Sequence, residues 1–378
     1  MNIVINTQLL LYGRLDGIGW FTYETVKRIT ENHPEHNFFL VFDRKPSPKL
    51  RFPENTKTVV LPPMSRHPFL WFLRFELLFP FLLKKLKADL FLSTDGWMTL
   101  STSVPCIQVI HDLNFAHFPK DLPFWTRNYY NFFFPRYARK AKRVATVSNY
   151  SKHDIEKTYK IDGDKIDVMH NGCNCDYKPL GEAQKAEARE KYSGGHPYFL
   201  YVGALIPRKN IARIFKAFDT FKGYSNCNTK FVIVGHKKWW TPEINEVYEN
   251  MAYKDDLIFL GRRKVDELNL LYSGSIALVF PAIFEGFGIP ILEAFYAETP
   301  VITSNVSSMP EVAGEAAMLV DPFNVDSIAE AMEQLKKDEQ LRQTLIERGR
   351  QRRKLFSWDN TAERLWNTIE ATMEESQK

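Results

Sequence analysis

Thirteen short runs of β-branched and aromatic residues, each followed by a helix-like segment, set the tightest limit on how this chain can fold. In the first half they are NIVIN, FFLVF, TVVL, ADLFLS, PCIQVI, RVATVS and KIDVMHN. After a polar interval come YFLYVG, KFVIVG, LIFLG, IALVF, PVITSN and AAMLVD. Continuously apolar strands that alternate with helices imply parallel sheets buried on both faces. At 378 residues the chain exceeds one typical core. The runs therefore predict two doubly wound α/β domains of similar size, facing each other. The interval 176–197 is charged, rich in Ala and Glu and closed by Gly-Gly, and it reads as a linker between domains at 1–175 and 198–356. A last helix is expected over 357–378, with Ser357 as its cap.

Charge and cysteine content narrow the functional classes. The formal net charge of +5, spread along the chain, is too mild for nucleic acid but suits an anionic ligand or an anionic membrane surface. Four cysteines without a zinc or redox spacing favour a reduced, intracellular compartment. The opening MNIVINTQLL is strand-like and carries no basic leader. The most apolar run, Phe69 to Leu83, is broken by Arg74, Glu76 and Pro80, so no membrane span is expected. The longer stretch His67 to Lys87 is aromatic and basic. It suits a membrane surface, but a core-facing helix with solvated ends is the preferred reading.

Ligands of open α/β sheets bind at the carboxyl ends of the strands, which directs attention to the loops there. FEGFGIPILEAF, Phe284 to Phe295, follows the strand IALVF. Pro281 ends the strand, Pro290 fits a first helical turn and Pro300 closes the helix. Glu285 then falls on the loop and Glu293 in the first turns. The N–H groups of Gly286 and Gly288, with the helix N-terminus, suit a phosphate. A carboxylate repels phosphate but accepts strong hydrogen bonds from a vicinal diol. Acids on both sides of a phosphate site thus fit a nucleotide sugar, whose hydroxyls flank a diphosphate. The plainer alternative makes Glu293 a helix-favouring acid and Glu285 a solvated loop residue. In YVGALIPRKN, Asn210 is suited to cap the next helix, which sets Arg208 and Lys209 at the ligand edge, where cations meet the charge of a departing diphosphate. At ~4 Å and an effective dielectric near 20, such a contact is worth on the order of 4 kcal/mol before desolvation. A solvated turn is the alternative. The serines of SNVSSMPE could meet the diphosphate or cap the following helix.

In the first half, RLDGIGWFTYE (Arg14 to Glu24) opens a helix with Gly17 and Gly19, but it is not GxGxxG and no acidic residue suitably ends the second strand, so a dinucleotide site is not expected. A flexible loop reaching a phosphate is the better functional reading. His111 and Asp112 directly follow the run PCIQVI, where a His can bond sugar hydroxyls. Asp162 and Asp164 sit in a turn and read as turn chemistry rather than a metal site.

In their joint order these residues resemble the retaining glycosyltransferases of family 4, with the two-domain GT-B fold. The most specific part is Glu285 and Glu293 with seven residues between them. The resemblance implies roles: Glu285 contacts the transferred sugar, and the Phe287 and Gly288 amides the sugar or phosphate. Glu293 holds the ribose, Arg208 and Lys209 the diphosphate, and His111 lies near the reacting sugar. Gly19 belongs to the loop that closes on the phosphates, and Gly203 and Ile289 complete the donor site. The first domain would bind the acceptor, the second the donor, and the last helix would cross back to the first. Ala204 departs from the pattern, since many members carry Arg there. The implied reaction is retaining, metal-independent transfer of a hexose, mannose favoured, from a GDP- or UDP-linked sugar. The acceptor is a saccharide or lipid-linked saccharide in polysaccharide synthesis, in the cytoplasm or against the inner face of the membrane. The co-substrate stands in place of a cofactor. An epimerase, a hydrolase and a non-catalytic sugar-nucleotide-binding subunit are the rival readings.

Overall fold

A computed structural model describes residues 1–377 apart from 14, 65, 175, 238 and 239. Arg14 of the first glycine loop, Cys175 and the final Lys378 lie outside the described residues. The chain divides into two compact units, Met1–Gly172 with Ser357–Lys378, and Cys173–Phe356.

All thirteen apolar runs form strands, and the ladders are parallel. The first unit contains β1 (Asn2–Asn6), β2 (Asn37–Phe42), β3 (Thr56–Val60), β4 (Leu90–Ser93), β5 (Cys106–Ile110), β6 (Arg143–Thr146) and β7 (Ile166–Val168). Its sheet order is β3-β2-β1-β4-β5-β6-β7. The second unit contains β8 (Tyr198–Val202), β9 (Lys230–Val234), β10 (Leu257–Gly261), β11 (Leu278–Phe280), β12 (Val301–Ser304) and β13 (Met318–Val320), in the order β10-β9-β8-β11-β12-β13. The strands β5, β8, β11 and β12 are buried at every position, as their unbroken apolar sequences require. In each sheet the order reverses beside the first strand, between β1 and β4 and between β8 and β11. Such a reversal opens a crevice at the carboxyl ends of those strands.

The segment expected as a linker differs. Residues from Cys173 onward belong to the second unit, and Glu182–Ser193 is a helix whose Ala188, Tyr192 and Ser193 are buried. Ala and Glu are strong helix formers, so the composition that suggested a connection is that of a surface helix. Gly194, at φ +61°, ends it in the left-handed conformation.

The final helix, Trp358–Gln377, packs on the helix Gly17–Asn32 of the first unit, and the Asn360 N–H donates to Ser357 Oγ at 3.1 Å. Trp366 stacks on His33 with ring centroids 3.5 Å apart. Thr361 Oγ1 donates to the His170 carbonyl at 2.6 Å, and Arg143 Nη2 reaches Glu375 at 2.6 Å. Gly172 lies so close that a Cβ there would sit 2.4 Å from the Trp358 nitrogen.

The aromatic run 69–83 faces the core on one side only. Trp71, Phe75, Phe79, Leu82 and Leu83 are buried, whereas Phe69, Phe72, Leu77 and Phe81 are exposed. A π-helical turn at Leu73–Leu78 rotates the two stripes past each other. Among the described residues no helix is long and apolar enough to cross a membrane.

Candidate active site

The reversal point of the second sheet gathers the residues that the sequence singled out there. β8 leads through Gly203 to a tight turn, Pro207–Lys209, and β11 leads to the loop carrying Glu285. Arg208 Nη1 donates to Glu285 Oε1 at 2.7 Å and to the Phe284 carbonyl at 3.1 Å. Lys209 Nζ reaches the same Glu285 oxygen at 2.5 Å and lies 4.6 Å from the centre of the Phe280 ring. Burial works against the Glu285 charge, but the adjacent Lys209 and Arg208 outweigh it and hold the carboxyl below the usual glutamate range. Two cations thus share one carboxylate at the strand ends.

The loop after β12 locks this arrangement. The Glu285 N–H donates to Ser307 Oγ at 3.0 Å, and the Ser307 and Ser308 hydroxyls both donate to the Glu285 carbonyl at 2.8 Å. Ser308 also bonds the Phe287 carbonyl at 3.1 Å. Between the expected phosphate contact and helix cap, the structure gives these serines a third task, fixing the glutamate loop. Asn210 is likewise not a side-chain cap. It adopts φ +68°, and its Nδ2 donates to the Pro281 and Pro322 carbonyls at 3.1 and 2.6 Å, tying the β8 turn to two neighbouring loops.

Gly288, at φ +101°, opens the helix Ile289–Tyr296, with Pro290 in its first turn. Phe287 is buried, its ring 5.6 Å from Phe356. Glu293 lies within that helix, and its Oε2 accepts from the Tyr272 hydroxyl at 2.6 Å, with a further bond from Tyr177. Burial raises the Glu293 carboxyl above the usual range, and the two phenols draw it partway back. Gly203 is packed against Gly235, where a Cβ would meet the Gly203 carbonyl at 1.8 Å, so this is a point of close backbone crossing.

His111 and Gly19 belong to the first unit. Gly19 lies in the first turn of the helix Gly17–Asn32, and its N–H donates to Asp16 Oδ1 at 3.0 Å, so the expected flexible loop is a capped helix start. His111 Nε2 lies 2.9 Å from the Thr94 carbonyl, and its ring meets Phe21 edge-on at 4.9 Å. Burial lowers its pKa, against partial compensation from Thr94, Asp112 and Asp16. The ring is therefore neutral near pH 7, with the proton on Nε2 facing the carbonyl and Nδ1 as an acceptor. An acidic residue does stand at the end of β2: Asp43 is buried, and both its oxygens are held by Arg44 at 2.6 Å.

Residues 183–352 match the model described as glycosyl transferases group 1, and residues 15–177 that of glycosyltransferase family 4. The O-antigen chain mannosyltransferase RfbU of Salmonella typhimurium is 30% identical over 284 residues, 74% of this chain and 73% of the relative. The chain belongs to the group 1, family 4 glycosyltransferases. This glycosyltransferase is also 32% identical over 221 residues to O-antigen chain mannosyltransferase B of Escherichia coli, covering 58% of each chain. Its fold is of the GT-B kind. HepE of Anabaena in complex with UDP-glucose superposes with a TM-score of 0.76 at 14% identity, over 98% of this chain and 100% of that one.

Other buried polar residues escaped the sequence reading. Tyr177 and Tyr272 carry no motif, and only folding brings them to Glu293. Asp95 was within reach: it closes the stretch LFLSTD two residues past the end of β4, near the carboxyl end of that strand. Asn6 Nδ2 donates to its Oδ1 at 2.7 Å.

Proposed function

We propose that the chain transfers a hexose, mannose favoured, from a GDP- or UDP-linked sugar to a hydroxyl of a saccharide or lipid-linked saccharide, retaining the anomeric configuration and without a metal. It would serve cell-surface polysaccharide synthesis, in the cytoplasm or at the inner face of the membrane. The observation that carries this reading is the convergence of Arg208 and Lys209 on Glu285 at the reversal point of the second sheet. Two cations against one carboxylate leave net positive charge beside the Gly288 turn, the complement of a diphosphate. As the sugar–phosphate bond breaks, negative charge grows on the leaving group, and fixed cations stabilise it without reorganising. The same cations keep Glu285 ionised and make it a poor nucleophile. Its charge then supports an oxocarbenium-like sugar, with departure and attack on one face. Glu293 would hold the ribose diol, and His111 Nδ1 would accept from a sugar hydroxyl. The names of the two O-antigen relatives favour mannose and polysaccharide synthesis, and the UDP-glucose held by HepE supports a nucleotide-sugar donor.

The test uses a panel of radiolabelled GDP- and UDP-sugars, with and without a lipid-extract acceptor. One donor should raise the melting temperature by mass action and give acceptor-dependent transfer. Glu285→Gln and Lys209→Ala should each lower kcat by about a hundredfold or more while the chain stays folded at the assay temperature. Near-normal turnover in either variant would refute the assigned roles. Label released as free sugar or as an altered sugar nucleotide would favour a hydrolase or an epimerase, and binding without turnover a non-catalytic subunit.

A further inference from the structure

A buried threonine inside a helix commonly turns its hydroxyl back onto a carbonyl one turn earlier. Thr25 does so, its Oγ1 donating to the Phe21 carbonyl at 2.7 Å, and Thr372 donates to the Thr368 carbonyl at the same distance. Thr22 lies on the same helix as Thr25, Gly17–Asn32, yet its hydroxyl leaves the helix and meets Thr94 Oγ1 at 2.9 Å. Thr94 gives its own proton to the Asn6 carbonyl at 2.9 Å, and a carbonyl only accepts, so Thr22 is the donor to Thr94. Thr22 and Thr94 are each 1% exposed, and Asn6 is fully buried.

This relay grips the peptide that joins Thr94 to Asp95. On one side of it the Thr94 hydroxyl is bonded to the Asn6 carbonyl. On the other, Asp95 Oδ1 accepts from Asn6 Nδ2 at 2.7 Å, so one residue at the end of β1 holds both flanking side chains. A residue further on, the Gly96 carbonyl accepts from Gln108 Nε2 of β5 at 2.7 Å. The carbonyl of the gripped peptide is the one that His111 Nε2 meets at 2.9 Å. The helix that supplies Thr22 touches the imidazole directly as well, through the edge-on ring of Phe21.

We propose that Thr94 is a positioning residue for the transfer reaction: fixed by Thr22 and Asn6, its carbonyl holds His111 in the tautomer whose Nδ1 accepts from a sugar hydroxyl. A neutral imidazole left to itself exchanges between two tautomers, and the other one presents an N–H where the sugar hydroxyl needs an acceptor. The grip is made when the chain folds, so the ring needs no rearrangement as the sugar arrives. This role presupposes that His111 bonds a sugar hydroxyl, as proposed above.

The full chain is made with isotope-labelled histidine, and its nine histidines are resolved by long-range proton–nitrogen correlation, His111 being the signal that His111→Gln removes. The parent should show His111 protonated on Nε2 alone, without any sugar present. Thr94→Val keeps the side-chain shape and breaks the relay, so both tautomers should appear. With the labelled GDP- and UDP-sugars and lipid extract, kcat should fall about tenfold in Thr94→Val, which loses two bonds, and about threefold in Thr22→Val, which loses one. The donor KM should hold in both. Thr94→Ser and Thr22→Ser keep the hydroxyls and should restore the tautomer and the rate. A purely structural role would lower the melting temperature and leave a single tautomer. A single tautomer or unchanged turnover in Thr94→Val would overturn the proposal, as would a Thr94→Ser variant that stays impaired. Should Thr94→Val not fold, the same outcomes in Thr22→Val decide, since that variant keeps the bond from Thr94 to Asn6. No transfer by the parent, or near-normal turnover of His111→Gln, would instead overturn the function proposed above and this role with it.

Discussion

Glu293 shows how a single carboxylate depends on neighbours that no motif announces. The Tyr272 hydroxyl donates to it at 2.6 Å, and a hydrogen bond to a charged group is worth about 1.5–3 kcal/mol. If Glu293 holds the ribose as proposed, Tyr272→Phe should raise the donor KM roughly tenfold or more and leave kcat nearly unchanged. Losing that donor raises the Glu293 carboxyl further, so donor binding should fall away at a higher pH than in the parent. A pH series of donor affinity checks this, and an unmoved midpoint would remove Tyr272 from the site. Asp95 offers a second test. Burial pushes its carboxyl up to about 7, against hydrogen bonds led by that from Asn6. The folded chain therefore keeps a proton that the unfolded chain releases near pH 4. Between about pH 4 and 7 stability falls as pH rises, by up to about 4 kcal/mol in all. Asp95→Asn should abolish that slope while still accepting from Asn6. Urea midpoints at pH 5 and pH 8 measure it.

At the scale of elements, the returning helix Trp358–Gln377 is held in part by its buried Trp366. Trp366→Ala removes the stack on His33, and removing a buried large aromatic costs about 3–5 kcal/mol. The melting temperature should drop by roughly 6–15 °C, readable by circular dichroism. A drop of only a degree or two would mean that the helix is held elsewhere. The strands were legible in sequence because burial on both faces leaves long apolar runs with nothing to interrupt them. Glu285, Arg208 and Lys209 were legible for a related reason: each follows such a run closely, and the carboxyl edge is where ligands sit. The helix Glu182–Ser193 was not, because a surface helix rich in Ala and Glu has the composition of a solvated connection. Local signals also overstated Asn210, Ser307 and Ser308. Their residue types suit helix caps, but tertiary contacts claimed the side chains for other loops.

For the whole molecule, the second unit is one continuous stretch, Cys173–Phe356, while the first is assembled from two pieces. Expressed alone, residues 173–356 should unfold in one cooperative transition. Residues 1–172 alone should lack one until a peptide of residues 357–378 is supplied, because the helix Gly17–Asn32 then has its partner again. Calorimetry of the fragments, with and without the peptide, decides this. A cooperative transition of 1–172 by itself would show that the returning helix is dispensable. The divided layout also bears on biosynthesis. At ~5–20 residues per second, translating the inserted stretch takes roughly 10–40 s. For that interval the earliest part of the nascent polypeptide waits at the ribosome with one flank bare, in need of a chaperone's shelter, and the portion made later is finished first.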